Sequence, residues 1–323
     1  MTFLIILNEH AGSGNAKATW ELIQPVLQQK NINYTFEISQ YPGHTTYLTQ
    51  QYIKNIEQFV RPVILVIGGD GTLHEALNGA MSSQQTSLTP LAYIPAGSGN
   101  DFARGLGMAS KPLDALNQIL NCHQPMMINI GHYLESMKNE KGYFINNIGI
   151  GFDAAVVSRT NTSTNKRRLN KYHLGSLAYL SSVISVLYNQ DPFPLMVQVN
   201  KQRTLFQKAF LVTTSNHPYF GGGVAILPDA SVQKPDLELI VIERKNWLII
   251  LWVAILIILG KHLKSRFVHV FKNNQIHLTT TSIEHGQIDG EIMGNRFFDL
   301  SMNITQYPFW IDTSIKKIDN KKR

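Results

Sequence analysis

Residues 63–75 read VILVIGGDGTLHE, and this stretch decides the fold of the first half of the chain. The run 63–67 is apolar and largely β-branched, which is typical of a strand buried on both faces of a parallel sheet. Three glycines then let the backbone turn sharply and approach a ligand closely, before a helical pattern begins. Because the free N–H groups at the start of a helix attract an anion, the stretch predicts a phosphate-binding turn.

Asp70 is the unexpected member of this turn. A carboxylate beside phosphate groups is repelled unless a cation or its bound waters lie between them. Mg²⁺ is a hard cation that prefers oxygen ligands, so Asp70 predicts a magnesium ion. Read alone, GGDGT could also be only a tight turn from a strand into a helix.

A second glycine-rich turn repeats this layout. The run PAGSGNDFAR at residues 95–104 follows a weaker strand pattern at 91–94 and opens another helix. Its side chains that can bind phosphate, ribose or a metal are Ser98, Asn100, Asp101 and Arg104. Asp101 repeats the metal argument made for Asp70, and Arg104 could neutralise phosphate charge.

The surrounding pattern puts both turns in a layered α/β domain. Strand patterns at 3–7 and 34–38 alternate with helical patterns at 16–29 and 45–58. The loop at 8–16 adds a third glycine-rich turn. Turns that follow parallel strands share the carboxyl edge of the sheet, where nucleotides bind, so the three together predict nucleotide binding. No P-loop motif occurs, which excludes a P-loop enzyme. The loop also lacks the third glycine of a dinucleotide fingerprint.

Composition and charge limit the class of protein. The 323 residues suffice for about two domains, and the 44% hydrophobic content suits a buried core. The net charge of +7 is too small for a histone-like polycation, and we expect no nucleic-acid partner; it suits a nucleotide or a phospholipid surface. The single Cys122 excludes an intrachain disulfide framework, so the cytoplasm is the expected compartment.

From about residue 126 the pattern changes to short β-rich runs separated by turn residues. This predicts an antiparallel sandwich or barrel. Helical patterns at 173–188 and 246–263 interrupt it, and 160–168 reads as a polar loop. The predicted fold class is an α/β N-terminal nucleotide-binding domain, a parallel sheet with flanking helices, plus a β-rich antiparallel sandwich. The predicted segments are 1–124, 125–303 and a C-terminal piece at 304–323 that could return to the first domain.

The paired turns resemble a known family. GGDGTLHEALNG at 68–79 and PAGSGNDFARGLG at 95–107 are similar to the diacylglycerol kinase catalytic domain of bacterial soluble lipid kinases, relatives of sphingosine and ceramide kinases. Stretches at 144–153, 174–180 and 289–291 also fall in the family's order. The resemblance implies an ATP-dependent and Mg²⁺-dependent kinase that converts diacylglycerol into phosphatidic acid, with the second domain binding the lipid.

The resemblance also implies roles for individual residues. The expected nucleotide contacts are Asn8, Glu9, His10, Ala11, Gly12, Ser39, Gly68, Gly69, Asp70, Gly71, Thr72, Leu73, His74, Glu75, Gly97, Ser98, Asn100 and Arg104. The expected catalytic Mg²⁺ contacts, made through water, are Asp70 and Asp101. In the triplet 289–291, Asp289 or Glu291 would take the proton from the lipid hydroxyl, and the sequence leaves that choice open.

Some positions depart from the family pattern. Glu9 follows the first Asn where family members commonly have Pro, and His74 replaces a usual Asn. Relatives hold a structural Mg²⁺ in a loop that here reads SVQKPD at 231–236, with Lys at the position of a ligating Asp. We predict that this structural Mg²⁺ site is lost and that a lysine ammonium takes the place of the ion; the positions concerned are Ser231, Lys234 and Asp236.

The run WLIILWVAILIIL at 247–259 is apolar on every side of a helix, so it must be covered by protein, by a second copy or by lipid. It is shorter than the roughly 20 residues that span a bilayer. A core or dimer helix is the simpler interpretation, while the basic residues Lys261, Lys264 and Arg266 favour docking on a membrane surface.

The expected partners follow from these features. We expect ATP, a lipid substrate and transient contact with the inner face of the membrane, with a homodimer possible. An NAD kinase-like enzyme is the nearest alternative because it shares GGDGT. A non-catalytic lipid-binding or nucleotide-binding relative is the alternative of another class.

Overall fold

A computed structural model of the protein describes residues 1–56, 61–83, 87–162 and 185–315. The chain divides into two compact units. The first comprises residues 1–130, 221–223 and the segment from 306 onward, and the second comprises 131–220 and 224–305. The boundaries at 124 and 303 that the sequence suggested remain predictions of where the domains separate.

The first unit is built on a parallel sheet in the order β2-β1-β3-β4. Its strands are β1 (Thr2–Leu7), β2 (Asn33–Ile38), β3 (Pro62–Gly68) and β4 (Leu91–Pro95). Its helices are α1 (Asn15–Gln29), α2 (His44–Lys54), α3 (Asp70–Ser82), α4 (Asp101–Leu106) and α5 (Pro112–Leu120), with a 3-10 turn at Ala11–Gly14. Each helix follows a strand or another helix, as the alternating pattern of the sequence predicts.

The core of the first unit lies between this sheet and its helices. The β1 and β3 side chains alternate into a cluster with the apolar face of α1, in which Ile23 and Leu27 are fully buried. The C-terminal segment also belongs to this unit. Phe309 pairs in parallel with Leu91, and the indole N–H of Trp310 donates to the Ile119 carbonyl at 3.2 Å.

The second unit is an antiparallel β structure. Its strands, with β5 and β17 reaching into the first unit, are β5 (Met126–Glu135), β6 (Glu140–Phe144), β7 (Asn147–Gly151), β8 (Phe193–Val199), β9 (Gln202–Ser215), β10 (Tyr219–Phe220), β11 (Val224–Ala225), β12 (Leu237–Glu243), β13 (Val268–Asn273), β14 (Gln275–Thr280), β15 (Glu284–Ile288), β16 (Glu291–Arg296) and β17 (Asp299–Phe309). Strand β9 is central, since it pairs antiparallel with β7, β8 and β12. Alternate side chains of these strands form one buried apolar cluster. The predicted fold class, α/β followed by an antiparallel sandwich, is confirmed.

Helices of the second unit depart from the sequence-based expectation in part. Helix α6 (Phe152–Thr162) was not predicted, because its apolar residues are too few and too clustered to show a helical period. The predicted loop at 160–168 therefore begins inside a helix, and the rest of it lies outside the described residues. Of the predicted helix at 173–188, only residues 185–188 are described, and they are helical.

Helix α7 (Trp247–Ile258) matches the apolar run near the C-terminal third of the chain. It begins where the Asn246 side chain accepts a hydrogen bond from the Ile249 N–H at 3.0 Å, an N-cap contact. It ends just before Gly260, whose φ of 64° terminates the helix, and a 3-10 turn follows at His262–Lys264. Among the residues that the structure describes, no helix combines the length and the hydropathy needed to cross a membrane.

Candidate functional site: the glycine-rich turns and the Asp289 hairpin

The start of helix α3 is open to an anion. Gly69 is the N-cap residue and has no side chain to hydrogen-bond the first helical N–H groups. Thr72 and Leu73 are buried, so their side chains belong to the packing of the turn, and any nucleotide contact at Leu73 must be made by the backbone. The direction of the helix dipole therefore favours a phosphate at this end of α3.

The predicted glycine turns of the first unit lie against one another. A Cβ atom on Gly97 would lie 2.5 Å from the Gly69 Cα, and a Cβ on Gly12 would lie 2.2 Å from the Ala96 carbonyl oxygen. Gly12 also has a φ of +59°, which side chains rarely allow. The backbones approach closely only because these positions carry no side chain, so all three turns meet at one edge of the sheet.

Asp70 and Asp101 are connected by the backbone. The Asp101 N–H donates to Asp70 Oδ2 at 2.9 Å, which ties the second turn to the first. Asp101 is buried, and its Oδ1 accepts a charge-assisted bond from the Arg104 guanidinium at 2.5 Å. Its Oδ2 accepts the Gly222 N–H at 2.8 Å. Asp101 therefore orders this edge by holding two protein donors.

Tyr93 and Asn100 hold the second turn in shape. Asn100 has a φ of 52°, and its Oδ1 accepts the Gly97 N–H at 2.9 Å. The Tyr93 hydroxyl lies 3.2 Å from both Asn100 Oδ1 and the Gly68 carbonyl oxygen. Burial, and then the charges of Asp70 and Asp101, raise the pKa of Tyr93 well above its usual range. The hydroxyl thus stays protonated and serves as a donor between the two turns.

The N-terminal loop contacts the α3 turn through Asn8. Its Nδ2 donates to Thr72 Oγ1 at 3.1 Å, and its Oδ1 accepts the His10 N–H at 3.2 Å. Glu9 and Ala11 are half-buried beside it, and His10 is exposed. The hydrogen bond from Asn8 to Thr72 thus connects this loop, with its predicted nucleotide-binding residues, to the α3 turn.

Ser39 and Glu75 contact the start of helix α2. The Glu75 carboxylate accepts the N–H groups of Gly43 and Thr45 at 2.8 and 3.1 Å. The Thr45 hydroxyl donates to the Ser39 Oγ at 3.0 Å. Glu75 therefore satisfies donors at the α2 N-terminus, as an acidic side chain near a helix start does.

His74 and Ser98 complete the predicted set. The His74 ring lies 3.3 Å from the amide nitrogen of Asn78, one turn further along α3. This contact agrees with a local hydrogen-bonding role for the histidine. Ser98 is exposed at the tip of the second turn, where its hydroxyl is accessible to a ligand.

The fit of Mg²⁺ differs between the two acidic residues. Both oxygens of Asp101 accept protein donors, and Asp70 Oδ2 accepts the Asp101 N–H. Among the described residues, no group of three or more His, Cys, Asp or Glu side chains could surround a metal. Mg²⁺ often keeps several waters and binds one or two carboxylates together with substrate phosphates. With both oxygens bound to protein donors, Asp101 fits such a water-mediated contact poorly.

In the predicted triplet 289–291, Asp289 and Gly290 form a two-residue hairpin turn between β15 and β16. Asp289 and Gly290 have φ values of 49° and 88°, the left-handed conformations that a type I′ turn requires. Asp289 is buried, and its carboxylate accepts three backbone N–H groups: those of Ile145, Asn146 and Asn147, at 2.9, 2.8 and 3.0 Å. Glu291 is exposed at the first residue of β16. The two acidic residues thus have different environments.

A buried polar network supports this hairpin. Gln287 accepts the Gly290 N–H at 2.9 Å, and its amide nitrogen donates to Asp153 at 3.1 Å. The Thr213 hydroxyl also donates to Asp153, at 3.1 Å. Burial raises the pKa of Asp153 to about 7, although these hydrogen bonds oppose the rise. Burial likewise lowers the pKa of His217, to about 4.

In the loop at 231–236, which departs from the family pattern, Lys234 forms hydrogen bonds within the loop region. The Lys234 Nζ donates to the Asp229 carbonyl oxygen at 2.7 Å, and the Lys234 N–H donates to the Ser231 carbonyl at 2.9 Å. Asp236 instead lies 3.5 Å from the Lys272 ammonium. An ammonium group thus binds a loop carbonyl, the type of ligand that a cation would take.

Sequence reasoning missed several contributors to these sites. The signal for the segment 221–223 was visible, since three consecutive glycines occur there and Gly222 binds Asp101. Tyr93 gave no signal, because an aromatic residue in a buried strand looks like any core residue. Asp153 lies in a stretch that resembles the family, but its burial depends on strands far away in the sequence.

Comparisons with known proteins place these features in a family. The "Diacylglycerol kinase catalytic domain" family matches residues 2–131, and the "YegS C-terminal NAD kinase beta sandwich-like domain" family matches residues 146–303. The "Putative lipid kinase YtlR" of Bacillus subtilis is 31% identical over 303 residues, which cover 93% of this chain and 96% of that protein. A "Putative lipid kinase" of Staphylococcus carnosus is 23% identical over 300 residues, 93% of each chain.

A solved structure has the same fold. It is described as a "putative diacylglycerol kinase from Bacillus anthracis str. Sterne" and superposes with a TM-score of 0.74 at 23% identity, covering 98% of both chains. The family matches cover both halves of the chain in order, and they include the glycine turns and the Asp289 hairpin described above. This chain therefore belongs to the family of kinases that carry a diacylglycerol kinase catalytic domain.

Proposed function

We propose that the protein is a lipid kinase that transfers the γ-phosphoryl group of ATP to the hydroxyl of diacylglycerol, giving phosphatidic acid and ADP. The observation that carries the proposal is the contact between the Gly69 and Gly97 turns, where backbone meets backbone beside the uncapped start of α3. Such an edge offers several backbone N–H groups to the phosphates of a nucleotide. The lipid-kinase names of the relatives support the choice of acceptor.

Charge neutralisation follows from the residues of the first unit. Phosphoryl transfer depends on positioning and on neutralising negative charge, more than on covalent chemistry by the protein. Arg104 is 41% exposed while paired with Asp101, so its guanidinium can reach a phosphate without losing its place. Asp70 would hold Mg²⁺ through water, and the ion would offset the charge of the phosphates.

Glu291 is the better candidate for the proton acceptor. The acceptor must take the hydroxyl proton as the lipid oxygen attacks the γ-phosphorus and ADP leaves. The three backbone N–H groups on Asp289 occupy three of its roughly four acceptor sites and fix its orientation toward the chain. Glu291 is exposed and lies two residues after Asp289, so Asp289 positions the turn that presents it.

The test is phosphate transfer from labelled ATP to a panel of acceptors in mixed micelles: diacylglycerol, sphingosine, ceramide, undecaprenol and NAD. We expect label in phosphatidic acid and its loss in Asp70→Asn. That variant keeps an oxygen for the Asp101 N–H and removes the negative charge.

Other outcomes would overturn the proposal in distinct ways. Label on NAD and on no lipid would indicate an NAD kinase-like enzyme. Nucleotide binding by calorimetry without transfer to any acceptor would indicate a non-catalytic relative. Full activity in Asp70→Asn would refute the role assigned to this carboxylate.

A further inference from the structure

Helix α7 presents a continuous apolar face that the described residues do not cover. Only Ile250 and Val253 are buried, and they pack with strand β12 and neighbouring residues in one cluster. The residues on the other side are between 42% and 84% exposed: Trp247, Leu248, Leu251, Trp252, Ile255 and Ile258. Within the described part of the chain, the core position that the sequence left open is not observed for this face.

The size of this face is unusual for a surface that stays in water. Six large apolar side chains lie within twelve residues, and two of them are tryptophans. Contiguous apolar patches of more than a few hundred Å² are uncommon on monomeric proteins and mark interaction sites. Leu259, directly after the helix, extends the face and is 58% exposed.

Within residues 244–283, which include the helix, the charged side chains are of one sign. Between residues 244 and 283 the chain contains no Asp and no Glu. The exposed residues Lys245, Lys261, Lys264 and Arg266 lie just before and just after the apolar run. The cationic groups thus frame the apolar face at both ends of the helix in sequence.

We propose that the exposed face of α7, together with these basic residues, docks on the surface of an anionic phospholipid bilayer. An interfacial helix buries apolar side chains at the headgroup boundary while Lys and Arg bind anionic headgroups. Tryptophan favours that boundary because one edge of its ring is apolar and the other carries an N–H. At twelve residues, the helix is about 18 Å long and lies in the surface without spanning it.

Charge favours a lipid surface over a second copy of the chain. In a two-fold dimer the same patch meets itself. The basic residues of both copies would then approach each other, with no acidic residue between 244 and 283 to neutralise them. An anionic membrane supplies the opposite charge. The inference rests on the proposed function in one respect, since it names the surface through which a lipid kinase would reach its membrane-bound substrate.

Vesicle flotation of the full-length protein tests the docking surface without ATP or turnover. The vesicles are phosphatidylcholine alone or phosphatidylcholine with phosphatidylglycerol. We expect the protein to float with the anionic vesicles. We expect Trp252→Glu to bind these vesicles at least about tenfold more weakly. The matched control is Leu205→Glu, which places the same charge at a residue that is 69% exposed on strand β9. Circular dichroism verifies that both variants fold.

The basic residues are tested in the same assay. We expect Lys261→Ser/Lys264→Ser to weaken binding by about fivefold for each lysine removed. The matched control is Lys138→Ser/Lys141→Ser, which removes two exposed lysines of the same unit outside the α7 region. Equal loss in both double variants would mean that only net charge matters and would overturn the assignment to this surface.

Three further results would overturn the proposal. One is a protein that does not float with anionic vesicles, and another is equal flotation of the protein and Trp252→Glu. The third is a dimer in sedimentation that Trp252→Glu converts to monomers without changing flotation, which would assign the face to a second copy. Flotation without any phosphate transfer would refute the kinase proposal and leave docking intact.

Discussion

Asp289 and Glu291 are predicted to fail in different ways when each loses its charge. We compare Asp289→Asn with Glu291→Gln, two substitutions that replace one carboxylate oxygen by an amide nitrogen. If Asp289 positions the turn and Glu291 takes the proton, the first variant loses stability and the second loses turnover.

The magnitude for Asp289→Asn follows from its three backbone contacts. In its best orientation, the amide nitrogen faces one backbone N–H and leaves it buried without an acceptor, which costs about 1–3 kcal/mol. The two remaining bonds lose the charge of their acceptor, at roughly 1 kcal/mol each. The free energy of unfolding should therefore fall by about 3–5 kcal/mol, and Tm by roughly 10 °C.

Glu291→Gln changes an exposed side chain, so its unfolding free energy should stay within about 0.5 kcal/mol of the unmodified protein. Its kcat should fall by about 10²–10⁴-fold, the usual contribution of a general base. The assays are urea unfolding of each variant and phosphate transfer to diacylglycerol at a temperature where both are folded. The reasoning is refuted if Glu291→Gln keeps kcat while folded Asp289→Asn has none.

Three other variants, with one control, test particular contacts. Gly12→Ala should abolish ATP binding in calorimetry, because its Cβ would meet a carbonyl oxygen at 2.2 Å; Gly14→Ala, where φ is also positive but no atom lies within 4 Å, should keep most of it. As the pH rises from 4 to 7, the unfolding free energy of Asp153→Asn should increase by about 4 kcal/mol relative to that of the unmodified protein. Burial raises the pKa of Asp153 to about 7 in the folded state, so stability is lost as pH rises through that window, and an unchanged difference in urea unfolding would contradict this. Lys234→Ala should lower the unfolding free energy by about 0.5–1.5 kcal/mol, because it loses the bond to the Asp229 carbonyl. EDTA should leave the Tm of the unmodified protein unchanged. A lower Tm in EDTA would indicate a structural metal.

Much of the first unit could be predicted from local pattern. The β-branched run at 63–67 and the glycines after it predict a buried strand followed by a turn into a helix, and β3 and α3 have that arrangement. These features depend on residues that are neighbours in the sequence, so one sequence suffices to read them. The contact between Gly69 and Gly97 also follows, because parallel strands bring their carboxyl ends to one edge.

Helix α7 marks the limit of pattern reading. Its apolar run predicts a helix, but every side of that helix is apolar, so the sequence does not distinguish a buried face from an exposed one. Which side is covered depends on the strands that pack against it. Only the folded chain shows that Ile250 and Val253 face the protein while Trp252 faces outward.

The sequence by itself determined the α/β and β-rich halves, the glycine turns and the triplet 289–291, because backbone conformation and periodicity are local properties. It did not determine what each acidic residue of that triplet does. Asp289 lies more than 140 positions from the backbone N–H groups it accepts, and Asp153 is 134 positions from Gln287. Such contacts exist only after the antiparallel strands have paired, and hydrogen bonding and burial then give these carboxylates different environments.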